Sequence, residues 1–275
     1  MMTSKPFIKW AGGKYTLANT LKAYLPSDFS NRDYFEPMIG GGGMFFNLQP
    51  HNAYLSDINP KLILTYKSIK ANVESIINHL EIHEDNHHIN EDYYYEKRTE
   101  FNRGLDSRYE IAALFIYLNK TCFNGLYREN SKGEFNVPKG RTSSGKVTIC
   151  DKNNLRNCSN IFKKIKFGCH SYLDILPKLD SESFIYLDPP YLPVNSASFT
   201  KYAKDDFTEQ MHYDLKGFCD KLTDMGAKFM MSNSGTPKTK EIYNGYNMKQ
   251  ILVSRSVGSK SSSRKKVSEL IITNF

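Results

Sequence analysis

The 275-residue sequence predicts a doubly wound α/β sheet interrupted by an inserted module. Three observations carry that expectation. A strand, a glycine loop, a helix and a second strand follow one another between residues 34 and 57; strand-like apolar runs resume after residue 160; and the stretch 71–160 is first helical and aromatic-rich, then turn-rich.

The opening FIKWAGGKYTLANTLKAYLP reads as a glycine turn feeding an amphipathic helix, and a short strand at 34–37 runs directly into the glycines at 40–43. A helix follows the glycines. The next strand, 53–56, closes at Asp57, and Asn59-Pro60 is a helix start that leads into the helical run 61–70. The module holds helical segments at 93–103 and 109–120, then NGLYRENSKGEFNVPKGRTSSGK, whose composition by itself describes a glycine-rich surface hairpin. Strands return at 165–169, 184–187, 227–231, 248–253 and 267–273, with a helix between Thr208 and Met225. The last two runs suit a hairpin at the sheet edge, joined by a basic, serine-rich patch at 254–266.

Thirty-seven Lys and Arg against 29 Asp and Glu leave a formal charge of +8, which makes a polyanion such as nucleic acid the first candidate partner. A 40% hydrophobic composition at this length supplies a substantial core and excludes a mainly disordered chain. The most apolar run, 111–118, is far shorter than the roughly 18 residues a membrane span needs, and residues 1–10 carry no hydrophobic signal core. A soluble cytoplasmic protein without a membrane partner is therefore expected. Cys122, Cys150, Cys158, Cys169 and Cys219 form an odd set without close pairs, as reduced, buried thiols do. His79, His83 and His87 recur every four residues, a spacing that would align them on a helix for a metal. Their setting in HLEIHEDNHHINED reads instead as a solvated helix end, and no metal is expected.

The four glycines of FEPMIGGGG let the backbone pass close to a ligand, and the helix after them presents unpaired N–H groups, an arrangement that suits a nucleotide. The dinucleotide pattern G-x-G-x-x-G is met at Gly40 and Gly42 and broken at Phe45, which counts against NAD. Asp57 is placed either to accept hydrogen bonds from ribose hydroxyls or to cap the following helix. Asp188-Pro189-Pro190-Tyr191 follows the apolar strand FIYL and so projects from the sheet's carboxyl edge, where open α/β folds bind ligands. Its prolines have no N–H, so the turn offers acceptors, the Asp188 carboxylate and backbone carbonyls. Acceptors suit an amino group. An exocyclic amine on a nucleobase is a poor nucleophile because its lone pair is delocalised into the ring, and acceptors on its hydrogens favour a pyramidal nitrogen aimed at an electrophile. Tyr191 then stacks on the base.

Together KWAGGK, FEPMIGGGG, LSDIN, FNGLYRENSKGEFNVPKGR, YLDPPY and SSSRKKVSEL resemble, over nearly the whole chain and in the α-type motif order, the Dam-type DNA adenine-N6 methyltransferases. The resemblance implies a Rossmann-like S-adenosylmethionine-dependent methyltransferase sheet built by 1–70 and 161–275, with 71–160 as a helical and hairpin DNA-recognition insert. It implies transfer of a methyl group from S-adenosyl-L-methionine to N6 of adenine in double-stranded DNA at GATC, with the base flipped into the DPPY pocket. Trp10, Lys14, Glu36, Gly40, Gly41, Gly42, Asp57 and Asp188 match positions around the cofactor, and Tyr172 of FGCHSYLD, with His170 and Ser171, resembles the strand end that lines its adenine pocket. Asp188, Pro189 and Tyr191 match the residues that hold the target adenine. Arg128 matches an arginine that reads guanine through O6 and N7 together, and Lys9 a lysine near the other guanine. Phe123 and Asn124 match the pair that enters the duplex beside the displaced base, Phe123 standing where some relatives carry tyrosine. Leu126 and Pro138 match contacts to thymine methyl groups, and Arg141 a backbone contact.

Basic residues of the insert, with Arg255, Lys260, Arg264, Lys265 and Lys266, are expected to track phosphates and make affinity fall with salt. No covalent enzyme intermediate is needed, so Cys122 has no nucleophilic role. Two rivals belong beside this reading. An amino-methyltransferase acting on RNA or a protein amide has no evident use for Arg128 beside an intercalating Phe123, and a catalytically silent DNA-binding module has none for an intact DPPY turn. The sequence leaves the oligomeric state open, because a palindromic site can be modified by a monomer one strand at a time.

Overall fold

The computed structural model describes residues 4–141, 147–192, 207–254 and 266–275. After the short helix α1 (Ala18–Lys22), strand β1 (Asp33–Glu36) leads through the glycine loop to α2 (Gly43–Leu48), β2 (Ala53–Asp57) and α3 (Pro60–Ala71). Helices α4 (Val73–Ile89), α5 (Tyr93–Arg103), α6 (Arg108–Thr121) and α7 (Lys152–Phe162) precede β3 (Lys166–Cys169) and β4 (Ser183–Leu187). Then come α8 (Glu209–Asp224), β5 (Lys228–Ser234), α9 (Pro237–Ile242), β6 (Asn247–Ser254) and β7 (Lys266–Thr273). The strands form one sheet in the order β3-β2-β1-β4-β5-β7-β6. All neighbours are parallel except β7, which runs antiparallel to both β5 and β6. The doubly wound expectation holds, and the last two strands do form a hairpin, with β7 in the inner place.

Alternate strand residues serve two cores. Tyr34, Leu55, Phe184, Tyr186, Met230 and Ile271 pack on the side of α2 to α7. Phe35, Ile185, Leu187, Phe229, Met231 and Ile272 join Leu215, Phe218 and Leu222 of α8 on the other. Both faces are covered, which is why FIYL reads as a continuous apolar run. Helix starts are fixed locally: the Asn59 side chain accepts from Leu62 N at 3.0 Å with Pro60 in the first turn, and Ser107, Asp151 and Thr208 cap α6, α7 and α8 in the same manner.

The described residues of 71–160 add no strand to the sheet, yet Tyr94, Phe115, Tyr117 and Leu118 belong to the same buried cluster as Phe7, Tyr34 and Leu55. Two sequence expectations are corrected here. The opening amphipathic helix contracts to α1, because residues 11–17 are turns and irregular chain that carry Lys14 to Asp188. The histidine stretch is a solvated helix end only in part: α4 ends in it at the exposed Ile89, but His83 is 8% exposed, with Nδ1 2.8 Å from Tyr93 Oη and its ring stacked on Tyr117. His87 Nδ1 lies 2.9 Å from Tyr117 Oη. Burial holds both imidazoles down at about 4. Among the described residues no helix is long and apolar enough to cross a membrane, and no three His, Cys, Asp or Glu side chains group as metal ligands. Arg255, Lys260, Arg264 and Lys265, and the side chain of Lys266, lie outside the described residues.

Candidate active site

Strands β1 and β4 are neighbours whose chains leave toward opposite halves of the sheet, the switch point at whose carboxyl ends open α/β folds bind ligands. β1 delivers the glycine loop there and β4 delivers residues 188–191. The loop is tied on several sides: Gly42 N donates to Ile39 O at 2.7 Å, Gly40 N to Asp57 Oδ2 at 3.0 Å, and Tyr66 Oη to Gly40 O at 3.0 Å. Gly40 has φ 47°, and a Cβ on it would lie 2.6 Å from Trp10 Cδ1, so glycine is what lets Trp10 lie across the loop. At Gly43 the constraint is distance: a Cβ would lie 2.6 Å from Tyr15 N and 2.8 Å from Lys14 N. Helix α2 thereby rests on the backbone of Lys14.

Carboxyl groups punctuate this edge. Glu36, 2% exposed, accepts from Tyr34 Oη at 2.6 Å; burial, helped by the nearby Asp188 charge, pushes its carboxyl up to about 8 against that hydrogen bond. Asp57 accepts from Gly40 N and, through Oδ1, from Asn59 N at 3.0 Å, and burial raises its carboxyl above the usual range. Asn59, not Asp57, caps α3, so the capping alternative for Asp57 is corrected.

Lys14 Nζ lies 2.8 and 3.0 Å from the two carboxylate oxygens of Asp188, donates to Gly12 O at 2.5 Å, and stands 4.7 Å above the Tyr191 ring. Lys14 is 4% exposed, so little water competes for the pair. Tyr191 Oη donates to Glu269 Oε2 on β7 at 2.9 Å, and Ser234 Oγ donates to Leu192 O at 3.3 Å. His212, fully buried on α8 with Nδ1 3.0 Å from Tyr243 Oη, lies against the Pro190 carbonyl. A turn that offers acceptors is thus held from several elements, which is what preorganised stabilisation of a reacting amine requires.

A second surface continues from this edge. Asn119 of α6 accepts from Lys9 N at 2.8 Å and donates to Lys9 O at 2.8 Å and Gly125 O at 3.2 Å, tying KWAGGK to the 3-10 turn Phe123–Gly125. Phe123 N donates to Pro138 O at 2.9 Å, which closes the loop between them. Phe123 is 50% exposed, and Asn124 holds φ 55°, a left-handed conformation that a non-glycine residue adopts at some cost. Leu126 is half-buried, Pro138 and Arg141 are exposed, and Arg128 Nε donates to Asn136 Oδ1 at 2.7 Å. Tyr127 stacks on Trp10 at 5.9 Å and packs on Phe135, so an aromatic column joins the glycine loop to this surface. Cys122 donates from Sγ to Asn119 O and Leu126 O, and burial pushes its thiol up to about 11, the state of an inert thiol. Tyr172 is packed edge-on to Phe218 at 5.2 Å in the α8-side core.

Residues 10–257 match the family of D12 class N6 adenine-specific DNA methyltransferases. The chain belongs to that family. It is 39% identical to the type II methyltransferase M.MjaIII of Methanocaldococcus jannaschii over the full length of both. It is 35% identical to the type II methyltransferase M1.LlaDCHI of Lactococcus lactis and 34% identical to the DNA adenine methylase of Escherichia coli, in each case over 98% of this chain and 95% of the relative. The chain is thus an adenine-specific DNA methyltransferase.

Sequence reasoning missed Glu269, Asn119, Ser234 and His212, all buried. Glu269 carried a signal, a lone acid in the apolar run VSELIIT, and Asn119 another, an amide closing the apolar helix run IAALFIYL. Ser234 and His212 stood in no pattern that distinguishes them.

Proposed function

We propose that the methyl donor is S-adenosyl-L-methionine and that the target is the adenine of GATC in double-stranded DNA, turned out of the helix to reach Asp188. One observation carries the reading: the glycine loop and the Lys14–Asp188 pair stand side by side at the β1/β4 switch point. The edge fits the donor's chemistry. Gly40 leaves the backbone bare beside the Trp10 ring, and Glu36, Asp57 and Asp188 are acceptors for an ammonium group and ribose hydroxyls beside a cationic sulfonium. Trp10, Lys14, Glu36, Gly40, Gly41, Gly42, Asp57 and Asp188 would hold the donor, with Tyr172 placed to support its adenine end.

When bound, the sulfonium supplies an electrophilic methyl group. The chain's own residues prepare the amine. The Asp188 carboxylate accepts one N6 hydrogen and the Pro189 carbonyl the other, which draws the lone pair out of conjugation; Lys14 fixes the carboxylate, and Tyr191 stacks on the purine. Residues 71–160 form the recognition part: Phe123 and Asn124 fill the gap in the duplex, Arg128 and Lys9 read guanines, Leu126 and Pro138 meet thymine methyl groups, and Arg141 a phosphate.

Methylation of a randomised duplex library with radiolabelled S-adenosylmethionine, followed by mapping of the modified base, tests this. Label on adenine N6 within GATC is expected. Label that ignores the flanking guanines overturns the target, and failure of the protein to bind labelled donor overturns the cofactor.

A further inference from the structure

Glu269 is a buried carboxylate that the chemistry derived so far does not use. It lies on β7 between Ser234 of β5 and Ile251 of β6, and its strand neighbours Leu270, Ile271 and Ile272 are at most 2% exposed. Glu269 itself is 2% exposed. A carboxylate at such a place is costly to keep unless it is hydrogen-bonded, and an apolar side chain would complete the strand more simply. Among its contacts is the aromatic of the DPPY turn: Tyr191 Oη donates to Glu269 Oε2 at 2.9 Å across 78 positions of sequence. The Lys14 ammonium covers the ring 4.7 Å from its centroid while binding Asp188. The phenol is therefore gripped at its tip and across its face. Burial, with the charges of Asp188 and Glu269, pushes the phenol far above its ordinary range, so the hydroxyl remains a donor. A tyrosine ring held only at its backbone samples several rotamers, and a stacking partner with a set plane costs the bound base less ordering.

We propose that Glu269 is a positioning residue for methyl transfer: by accepting from Tyr191 Oη it sets the plane in which the ring meets the extruded adenine. This rests on the reading that the adenine leaves the duplex. Glu269 acts through Tyr191 and touches no reacting atom.

The test uses the full chain with a GATC duplex and with the same duplex carrying 2-aminopurine at the target position, whose fluorescence rises on unstacking. Glu269→Met, close in volume but without an acceptor, is expected to lower kcat about tenfold or more while donor KM and duplex Kd stay within about twofold. Glu269→Gln keeps an acceptor and is expected to hold kcat within about threefold of the parent. Tyr191→Phe deletes the same hydrogen bond from the other side, so its loss should equal that of Glu269→Met, and the combined variant should be no slower than either. Full kcat in Glu269→Met, a loss confined to donor KM, or losses that multiply in the combined variant each overturn the proposal. Should Glu269→Met fail to fold, Tyr191→Phe decides, and undiminished kcat there overturns it. A flat 2-aminopurine signal with the parent protein overturns the extrusion reading and the proposal with it; a normal signal with undiminished Glu269→Met turnover overturns the proposal alone.

Discussion

Replacing Asn119 by alanine is expected to loosen the opening KWAGGK segment from the Phe123–Gly125 turn. The amide makes three hydrogen bonds, one from Lys9 N and two to the carbonyls of Lys9 and Gly125. All three backbone groups lose their partner in the variant, while the side chain removed is itself 2% exposed. At roughly 1 kcal/mol for each bond the loss is about 3 kcal/mol, and the exposed Lys9 side lets water recover part of any further penalty. For a chain of this size that corresponds to a fall in Tm of roughly 6–12 °C. Urea unfolding with an unchanged m-value would read the same quantity from the midpoint. Activity sharpens the test: Lys9 and Phe123 are placed through this amide, so duplex KM should rise more than donor KM. A stability loss below about 1 kcal/mol, or equal rises in both constants, would refute the clamp.

Asp188→Ala should lower methyl transfer by orders of magnitude yet leave duplex binding measurable by gel shift; normal turnover would refute its role as acceptor. Arg128→Ala should relax discrimination at one guanine of the target when cleavage-protected substitution libraries are sequenced, and an unchanged preference would count against it. Stability should peak near pH 6.5. His83 and His212 are pushed down to about 4 by burial, so the unfolded chain binds more protons between about 6.5 and 4, and up to ~3 kcal/mol from each ring is lost as pH falls through that window. Glu36, pushed up to about 8, acts in the opposite sense: its contribution is complete below about 4.5 and is lost as pH rises toward 8. Urea midpoints measured across this range test the peak, and Glu36→Gln should flatten its alkaline side; midpoints independent of pH would refute both assignments.

The sheet was legible because its strands are buried on both faces and read as apolar runs, and because glycines and prolines end β1 and β4 at the points where the chain must turn. DPPY was legible for the same reason, since prolines without N–H announce acceptors. The long helix α4 was obscured by polar residues: His83 and His87 look solvated until Tyr93 and Tyr117, distant in sequence, supply hydroxyls. The Lys14–Asp188 and Tyr191–Glu269 contacts join residues 174 and 78 positions apart, and periodicity or local motif carries no such information. The residues proposed to read DNA were suggested only through resemblance, because a turn-rich loop has no period to mark which side chains it presents.

The inner place of β7 also orders events during synthesis. A ribosome releases β5 and β6 before residues 266–273, so these two strands wait with unpaired edges until the later strand threads between them. A nascent chain halted before that point already possesses the glycine loop and the DPPY turn but lacks Glu269. If Glu269 aims the Tyr191 ring as proposed, a product cut short ahead of the last strand keeps the turn yet lacks the anchor at its tip.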